Sequence, residues 1–554
     1  MNGRSEQHSA NALVELDYAG FTYPGSEEPA LSGIDMTIKH GEALTVVGPT
    51  GGGKSTLLKV LAGLLPASRL GHLTGKRTCA TDLRCGVVFQ SPDDQIVSSR
   101  VWDEVAFGLR QHGVSEDETR RRVAEAIEMV GLEKLAEADP EALSGGQKQR
   151  LVIAAAVAME PQLLVLDEPL AQLDPRGAGE VLAALAHLQE NGGTSLCVAE
   201  HRVGECLPAA SRVVAVADGL LQLDAPADRL ATINVISEMG LRLPVPMEVA
   251  RRVPAAWLAG VRDAVSLKSW AEGQGLTGHR RPDTCHSRKA GPSSDQEAVV
   301  AEHVSFRYAK RGFSIKELSL SIRRGERVAL LGANGSGKST LLGLLAGLHR
   351  PTHGTIRRAG RFGLTFQNPD AMLLASTALD EAAFGPRHAC KLSRSAAEER
   401  AGTVLRSVGL GERADQPPLS LSRGQRLRLA VASVLSMELD VLLLDEPTTG
   451  QDRKHMESLL TALRLACRTI VFSTHDVDLA LEWADRVVVM VEGQIGGDGP
   501  PKEVLSDPKL VERAGLRKPS VLTLCDELGV DPCHDVEELA ERLQPEGGTS
   551  AFPG

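Results

Sequence analysis

Short apolar runs alternate with longer amphipathic stretches along this chain. Residues 44–47, 87–89, 163–166 and 196–199 are dominated by Leu, Val and Phe. Runs of this length, closed by Gly, Pro or charge, read as strands of a sheet buried on both faces. Leu57, Leu58, Val60 and Leu61 have the spacing of one buried helix face, and 151–159 is an apolar stretch for a buried helix. Residues 14–21 begin with alternating character and read as an edge strand. Strand and helix patterns in alternation predict an α/β fold. No run approaches the ~18 residues that would span a bilayer. Residues 1–11 are polar, so no signal-peptide core is expected.

The run at 44–47 leads into Gly48-Pro49-Thr50-Gly51-Gly52-Gly53-Lys54-Ser55-Thr56, which is G-x-x-x-x-G-K-[ST] between a strand and a helix. Glycines at 48, 51 and 53 let backbone amides curl into an anion nest, and the helix aims its positive end at phosphate. Lys54 is then a ligand for the β- and γ-phosphates and Ser55 a ligand for Mg²⁺, with Thr56 beside it. The same pattern returns with Gly332, Gly335, Gly337, Lys338, Ser339 and Thr340. Lys54 and Lys338 are 284 apart, Asp167 and Asp445 278 apart, and His201 and His475 274 apart. A slowly drifting offset marks two copies of one domain with small loop indels, at a period far too long for a solenoid.

With 554 residues each half is long enough for its own core. The net charge of -11 argues against nucleic acid as main partner, because that binding depends on neutralising phosphates. Nine cysteines without a C-x-x-C pair fit a reducing cytosol.

Further candidates follow in order. Tyr23 and Tyr308, two of only three tyrosines, occupy matching positions and offer flat rings for adenine. Gln90 and Gln367 follow strands and carry neutral amides able to meet Mg²⁺ or water. Ser144-Gly145-Gly146-Gln147 opens a helix with capping-box spacing and bare glycines, a second anion site. Asp167 and Asp445 end apolar strands as Mg²⁺ ligands, and Glu168 and Glu446, one residue on, are placed to polarise an attacking water. His201 and His475 end later strands, in reach of a γ-phosphate.

P-loop, Gln, LSGGQ, apolar-Asp-Glu and His in this order resemble the ATP-binding-cassette nucleotide-binding domain, over about 12–230 and 298–500. The resemblance implies an α/β fold of two P-loop NTPase domains, each with a mixed sheet core, a helical subdomain and a short C-terminal helical extension. These extensions are expected at 231–271 and 501–545, with a flexible Gly/Pro/Ser-rich linker at 272–297. Such a linker reaches roughly 25–30 Å by chain statistics. The resemblance also implies ATP and Mg²⁺ as cofactors, and head-to-tail pairing in which Ser144 and Gly146 of one domain, and Ser422 and Gly424 of the other, cover the facing γ-phosphate. Asp174 and Asp452 are placed for contact with a partner domain.

A narrower likeness, carried by Phe89-Gln90-Ser91-Pro92-Asp93-Asp94-Gln95, Ala106-Phe107-Gly108 and their counterparts at 366–370 and 383–385, is to the ATPase subunits of energy-coupling-factor importers of vitamins or metal ions. It implies a peripheral protein on the cytoplasmic face of the membrane, working with a transmembrane scaffold and substrate-binding membrane subunits. Asp93, Asp94 and Asp370 could receive scaffold arginines as bidentate pairs; plain solvation accounts for them equally well. A soluble tandem cassette protein acting on ribosomes and the paired ATPase of a sugar importer are the alternatives. The second half departs in one place: its signature reads Leu421-Ser422-Arg423-Gly424-Gln425, so unequal ATP sites are expected.

Overall fold

In a computed structural model the described residues are 12–26, 28–66, 71–170, 173, 175–200, 210–226, 239, 241, 243–261, 263–277, 296–308, 313–447, 453–466 and 469–544. They form two compact units, divided at Leu243/Pro244.

The first unit holds two sheets. β1 (Ala12–Thr22), β2 (Leu31–Lys39) and β4 (His72–Cys79) form an antiparallel sheet in the order β2-β1-β4. Residues 14–21 are therefore the central strand of a small separate sheet and not an edge strand. Their alternation arises because one face of that sheet packs on the core and the other meets solvent. The larger sheet contains β3 (Ala43–Val47), β5 (Cys85–Val88), β6 (Leu163–Asp167), β7 (Ser195–Ala199), β8 (Arg212–Ala217) and β9 (Leu220–Pro226), ordered β5-β6-β7-β3-β8-β9. Only β9 runs antiparallel. All five residues of β3, β6 and β7 are buried, which is why these strands read as unbroken apolar runs. Helices Val101–Gln111, Glu116–Met129 and Gly145–Ala158 pack on one another as a helical subdomain.

The second unit repeats this plan. β10 (Glu297–Arg307), β11 (Phe313–Arg323) and β13 (His353–Arg358) form the small sheet. β12 (Arg327–Leu331), β14 (Phe362–Thr365), β15 (Val441–Asp445), β16 (Thr469–Ser473), β17 (Arg486–Val491) and β18 (Gln494–Gly499) form the large one, in the order β14-β15-β16-β12-β17-β18. Short helices then follow, including Pro508–Arg513, Ser520–Leu528 and Val536–Arg542. Helices Val245–Arg252 and Ala264–Gly273, read from sequence as an extension of the first cassette, pack in this unit against Ser520–Leu528 and Val536–Arg542. Val249, Val253 and Leu267 share a core with Val521, Leu522 and Leu539. Among the described residues no helix is long and apolar enough to cross a membrane, and no His, Cys, Asp and Glu group of three could hold a metal.

Candidate functional site

Each P-loop turns in a way only glycine permits. A Cβ on Gly48 would lie 2.0 Å from the Val216 carbonyl oxygen, and one on Gly332 2.4 Å from that of Met490. Gly53 and Gly337 start their helices in the left-handed region, at φ 104° and 105°, with no side-chain cap. No side chain caps Lys54–Leu61 or Lys338–Ala346, so the positive end of each helix faces its glycine loop, as anion binding requires. The Lys54 ammonium donates to the Gly48 and Pro49 carbonyls at 2.9 and 3.0 Å, and Lys338 to Gly332 and Ala333 at 2.7 and 3.1 Å.

Beside each loop a strand delivers two carboxylates. Ser55 lies beside Asp167 and Ser339 beside Asp445, and the Ser473 hydroxyl donates to Asp445 Oδ1 at 2.5 Å. Burial pushes both aspartates above their ordinary values, and these serines work against the rise. Asp167 Oδ1 is buried with no hydrogen-bond partner. A hydroxyl and a partly unpaired buried carboxylate beside a phosphate nest are a donor set that fits Mg²⁺.

Glu168 and Glu446 both have positive φ, 50° and 51°, a strained conformation for a non-glycine residue. Gln90 donates its amide to Glu168 Oε2 at 2.6 Å. In the second unit His475 Nδ1 lies 2.8 Å from Glu446 Oε2. Burial works to raise the Glu446 carboxyl, but the charge and hydrogen bond of His475, with Lys338, outweigh it and hold it below its ordinary value. Gln367 stands two residues beyond β14, as Gln90 does beyond β5. His201, Asp174 and Asp452 lie outside the described residues.

The Tyr23 hydroxyl meets Thr56 Oγ1 at 3.2 Å, and Tyr308 meets Thr340 at 3.5 Å. Each ring stands edge-on to Phe21 or Phe306 and remains 36% exposed. A half-exposed aromatic face is thus tied to the P-loop helix in both units.

Ser144 and Gln147 form a complete capping box at the start of Gly145–Ala158. Ser422 and Gln425 form the same box at Arg423–Leu435. A Cβ at Gly145 would meet nothing within 4 Å, so the arginine at the matching position leaves the second cap intact. Asp93 pairs with Lys148 at 2.5 Å and Asp370 with Arg426 at 2.7 Å. A cation of the same unit therefore already answers each of these aspartates.

Sequence reasoning passed over Glu104 and Glu381. Both are buried, and each accepts two backbone amides: Val97 and Ser98 at 3.0 and 2.7 Å, Leu374 and Ala375 at 2.7 Å each. Their equal spacing to Phe107 and Phe384 in the two copies was the available signal.

The family model described as ABC transporter matches residues 31–171 and 315–449. A Methanosarcina mazei protein, provisionally named an ABC transporter ATP-binding protein, is 37% identical over 97% of this chain and 97% of its own length. A Streptomyces avermitilis protein with the same name is 36% identical over 89% of this chain and 95% of its own. Among solved structures, the complex of archaeal ribosomal stalk protein aP1 with archaeal ribosome recycling factor aABCE1 aligns at TM-score 0.58 and 20% identity, covering 88% of this chain and 90% of that one. That likeness is one of fold. Two glycine-built phosphate nests, two capped signature helices and a relative alike from end to end make one assignment: this chain is a tandem ATPase and belongs to the ABC transporter family.

Proposed function

We propose that this tandem ATPase is the energy-coupling component of a membrane importer, of the energy-coupling-factor kind that takes up vitamins or metal ions. In this reading it sits on the cytoplasmic face of the membrane, bound to a transmembrane scaffold and substrate-binding membrane subunits. The cassettes span 12–230 and 298–500. One observation carries the proposal. Next to each Gln-bearing loop the chain presents an exposed aliphatic residue, Val97 (68% exposed) or Leu374 (80%), on a backbone braced by buried Glu104 or Glu381. Half-exposed Phe107 and Phe384 lie on the helices that follow. A buried carboxylate spent on holding an apolar residue in water is costly unless a partner covers that residue. The arrangement occurs in both units, as a scaffold with two coupling segments requires.

The chemistry assigned to the sites is ATP hydrolysis with the cassettes paired head-to-tail, Lys54 with Ser422 and Gly424, and Lys338 with Ser144 and Gly146. Ser55, Gln90 and Asp167, and Ser339, Gln367 and Asp445, hold Mg²⁺, which when bound neutralises the phosphate charge. Glu168 and Glu446 orient and polarise water, His201 and His475 meet the γ-phosphate, and Tyr23 and Tyr308 stack on adenine.

The test is a pull-down from detergent-solubilised membranes, compared with Val97→Asp/Leu374→Asp. The expected result is membrane subunits captured by the parent and lost by the variant, with basal ATP turnover retained. Recovery of ribosomes instead, or membrane capture unaffected by the two aspartates, overturns the proposal.

A further inference from the structure

The second ATP site is clasped from outside at two points, and both belong to the C-terminal helices. At its P-loop, the Ala333 amide donates to the Ala514 carbonyl at 3.0 Å. The same Ala333 supplies a carbonyl to the Lys338 ammonium. Gly515 follows with φ +64°, and a Cβ there would come within 3.3 Å of that of Ala333. On the histidine side, helix Val477–Trp483 starts two residues after His475. Its second residue, Asp478, is 7% exposed. Asp478 Oδ1 accepts from the Ser520 amide at 2.6 Å, and Oδ2 accepts from the Ser520 hydroxyl at 3.0 Å and the Arg517 guanidinium at 3.3 Å. Ser520 opens helix Ser520–Leu528, so the carboxylate also sits at that helix's positive end. Asp476 caps the Asp478 helix through the Leu479 amide at 3.0 Å. Asp478 thus bonds the extension while Asp476 caps the helix they share.

The first half lacks the parts for such a clasp. His475-Asp476-Val477-Asp478 corresponds to His201-Arg202-Val203-Gly204, and Arg517-Lys518-Pro519-Ser520 to Arg242-Leu243-Pro244-Val245. Glycine stands for the acceptor and valine for its hydroxyl donor. Helices Val245–Arg252 and Ala264–Gly273 instead pack on Ser520–Leu528 and Val536–Arg542. One helical bundle, built from helices of both extensions, is thus hydrogen-bonded to the ATP site of its own unit.

We propose that Asp478 is a positioning residue: it locks the start of the His475 helix to the C-terminal bundle, so that the bundle governs turnover at the Lys338 site and not at the Lys54 site. The proposal rests on reading Lys338, Glu446 and His475 as ATP-site residues. His475 reaches Glu446 at 2.8 Å, and a misplacement of about 1 Å at such a pair is enough to cost a large factor in rate.

The experiment uses the full chain. Asp478→Ala strands the Ser520 and Arg517 donors, and because head-to-tail pairing makes turnover depend on both sites, kcat should fall about tenfold with KM for ATP unchanged. Asp478→Asn keeps an acceptor for the Ser520 amide and should restore part of that loss. Hydrogen exchange read by peptide should quicken at 332–338 and 473–479 but not at 48–54. A general loosening of the fold would quicken both P-loops equally. Unchanged kcat, or equal quickening at both loops, overturns the proposal. Glu446→Gln in the same turnover assay tests the underlying site separately: wild-type turnover there defeats the site reading whatever Asp478 does.

Discussion

Replacing Gly48 with alanine should weaken nucleotide binding at the first site about a hundredfold while leaving the fold intact. The added Cβ starts 2.0 Å from the Val216 carbonyl oxygen, where real Cβ atoms keep at least 3.0 Å. The loop must therefore retreat by about 1 Å or more, since Val216 is fixed in β8 by pairing with Leu221 of β9. Gly48 also supplies the carbonyl that holds the Lys54 ammonium at 2.9 Å, so the lysine moves with it. Overpacking of this kind costs roughly 1–3 kcal/mol, and a nest displaced by about 1 Å loses on the order of a hundredfold in productive geometry. Gly51→Ala is the control. Its Cβ meets nothing within 4 Å, and only φ +82° penalises it, at roughly 1–2 kcal/mol. Titration calorimetry with ATP, in a Lys338→Ala background so that heat reports the first loop, measures affinity; a thermal melt measures the fold. Expected is a loss of about a hundredfold in ATP affinity for Gly48→Ala and about tenfold for Gly51→Ala. Equal damage from the two, or wild-type affinity in Gly48→Ala, would falsify the close-approach argument.

Three further predictions concern the same sites. Glu168→Gln and Glu446→Gln should each lower turnover by at least about a hundredfold at retained ATP affinity, measured by phosphate release; identical losses would count against unequal sites. The apparent Mg²⁺ affinity should fall on mild acidification. Burial raises Asp167 and Asp445, so both keep a proton to higher pH than free aspartate, and that proton competes with the cation; Mg²⁺ titrations that show no weakening as pH is lowered toward the carboxylate range would refute this. Ser144→Ala removes one capping box and should cost about 1 kcal/mol of stability, with a melt showing whether the loss matches that of Ser422→Ala.

Glu446 has the opposite pH sign. Its carboxyl is held low against burial by His475 and Lys338, so it stabilises the fold above the ordinary carboxyl range and loses that contribution as pH falls through its lowered value. An acid titration of Glu446→Gln should lack this component.

What the linear sequence could determine was whatever depends on neighbouring residues. The duplication, the two glycine loops, the capped signature helices at Ser144 and Ser422, and the buried strands ending at Asp167 and Asp445 are local patterns, because a phosphate nest, a capping box and a both-faces-buried strand each form within a few residues. Periodicity reports that a face is covered, not by what. Residues 14–21 alternated as an edge strand would, yet β4, more than fifty residues on, covers their second side. The apolar helices of 245–273 found their partners at 520–542 for the same reason. Gln90 on Glu168, His475 on Glu446, the amide pairs on Glu104 and Glu381, and Ser520 with Arg517 on Asp478 were decided only by tertiary structure. The 78-, 29- and 42-residue separations of the first, second and last of these contacts leave no periodic trace. A buried carboxylate takes whichever donors the fold brings to it, and that choice is made in space and not along the chain.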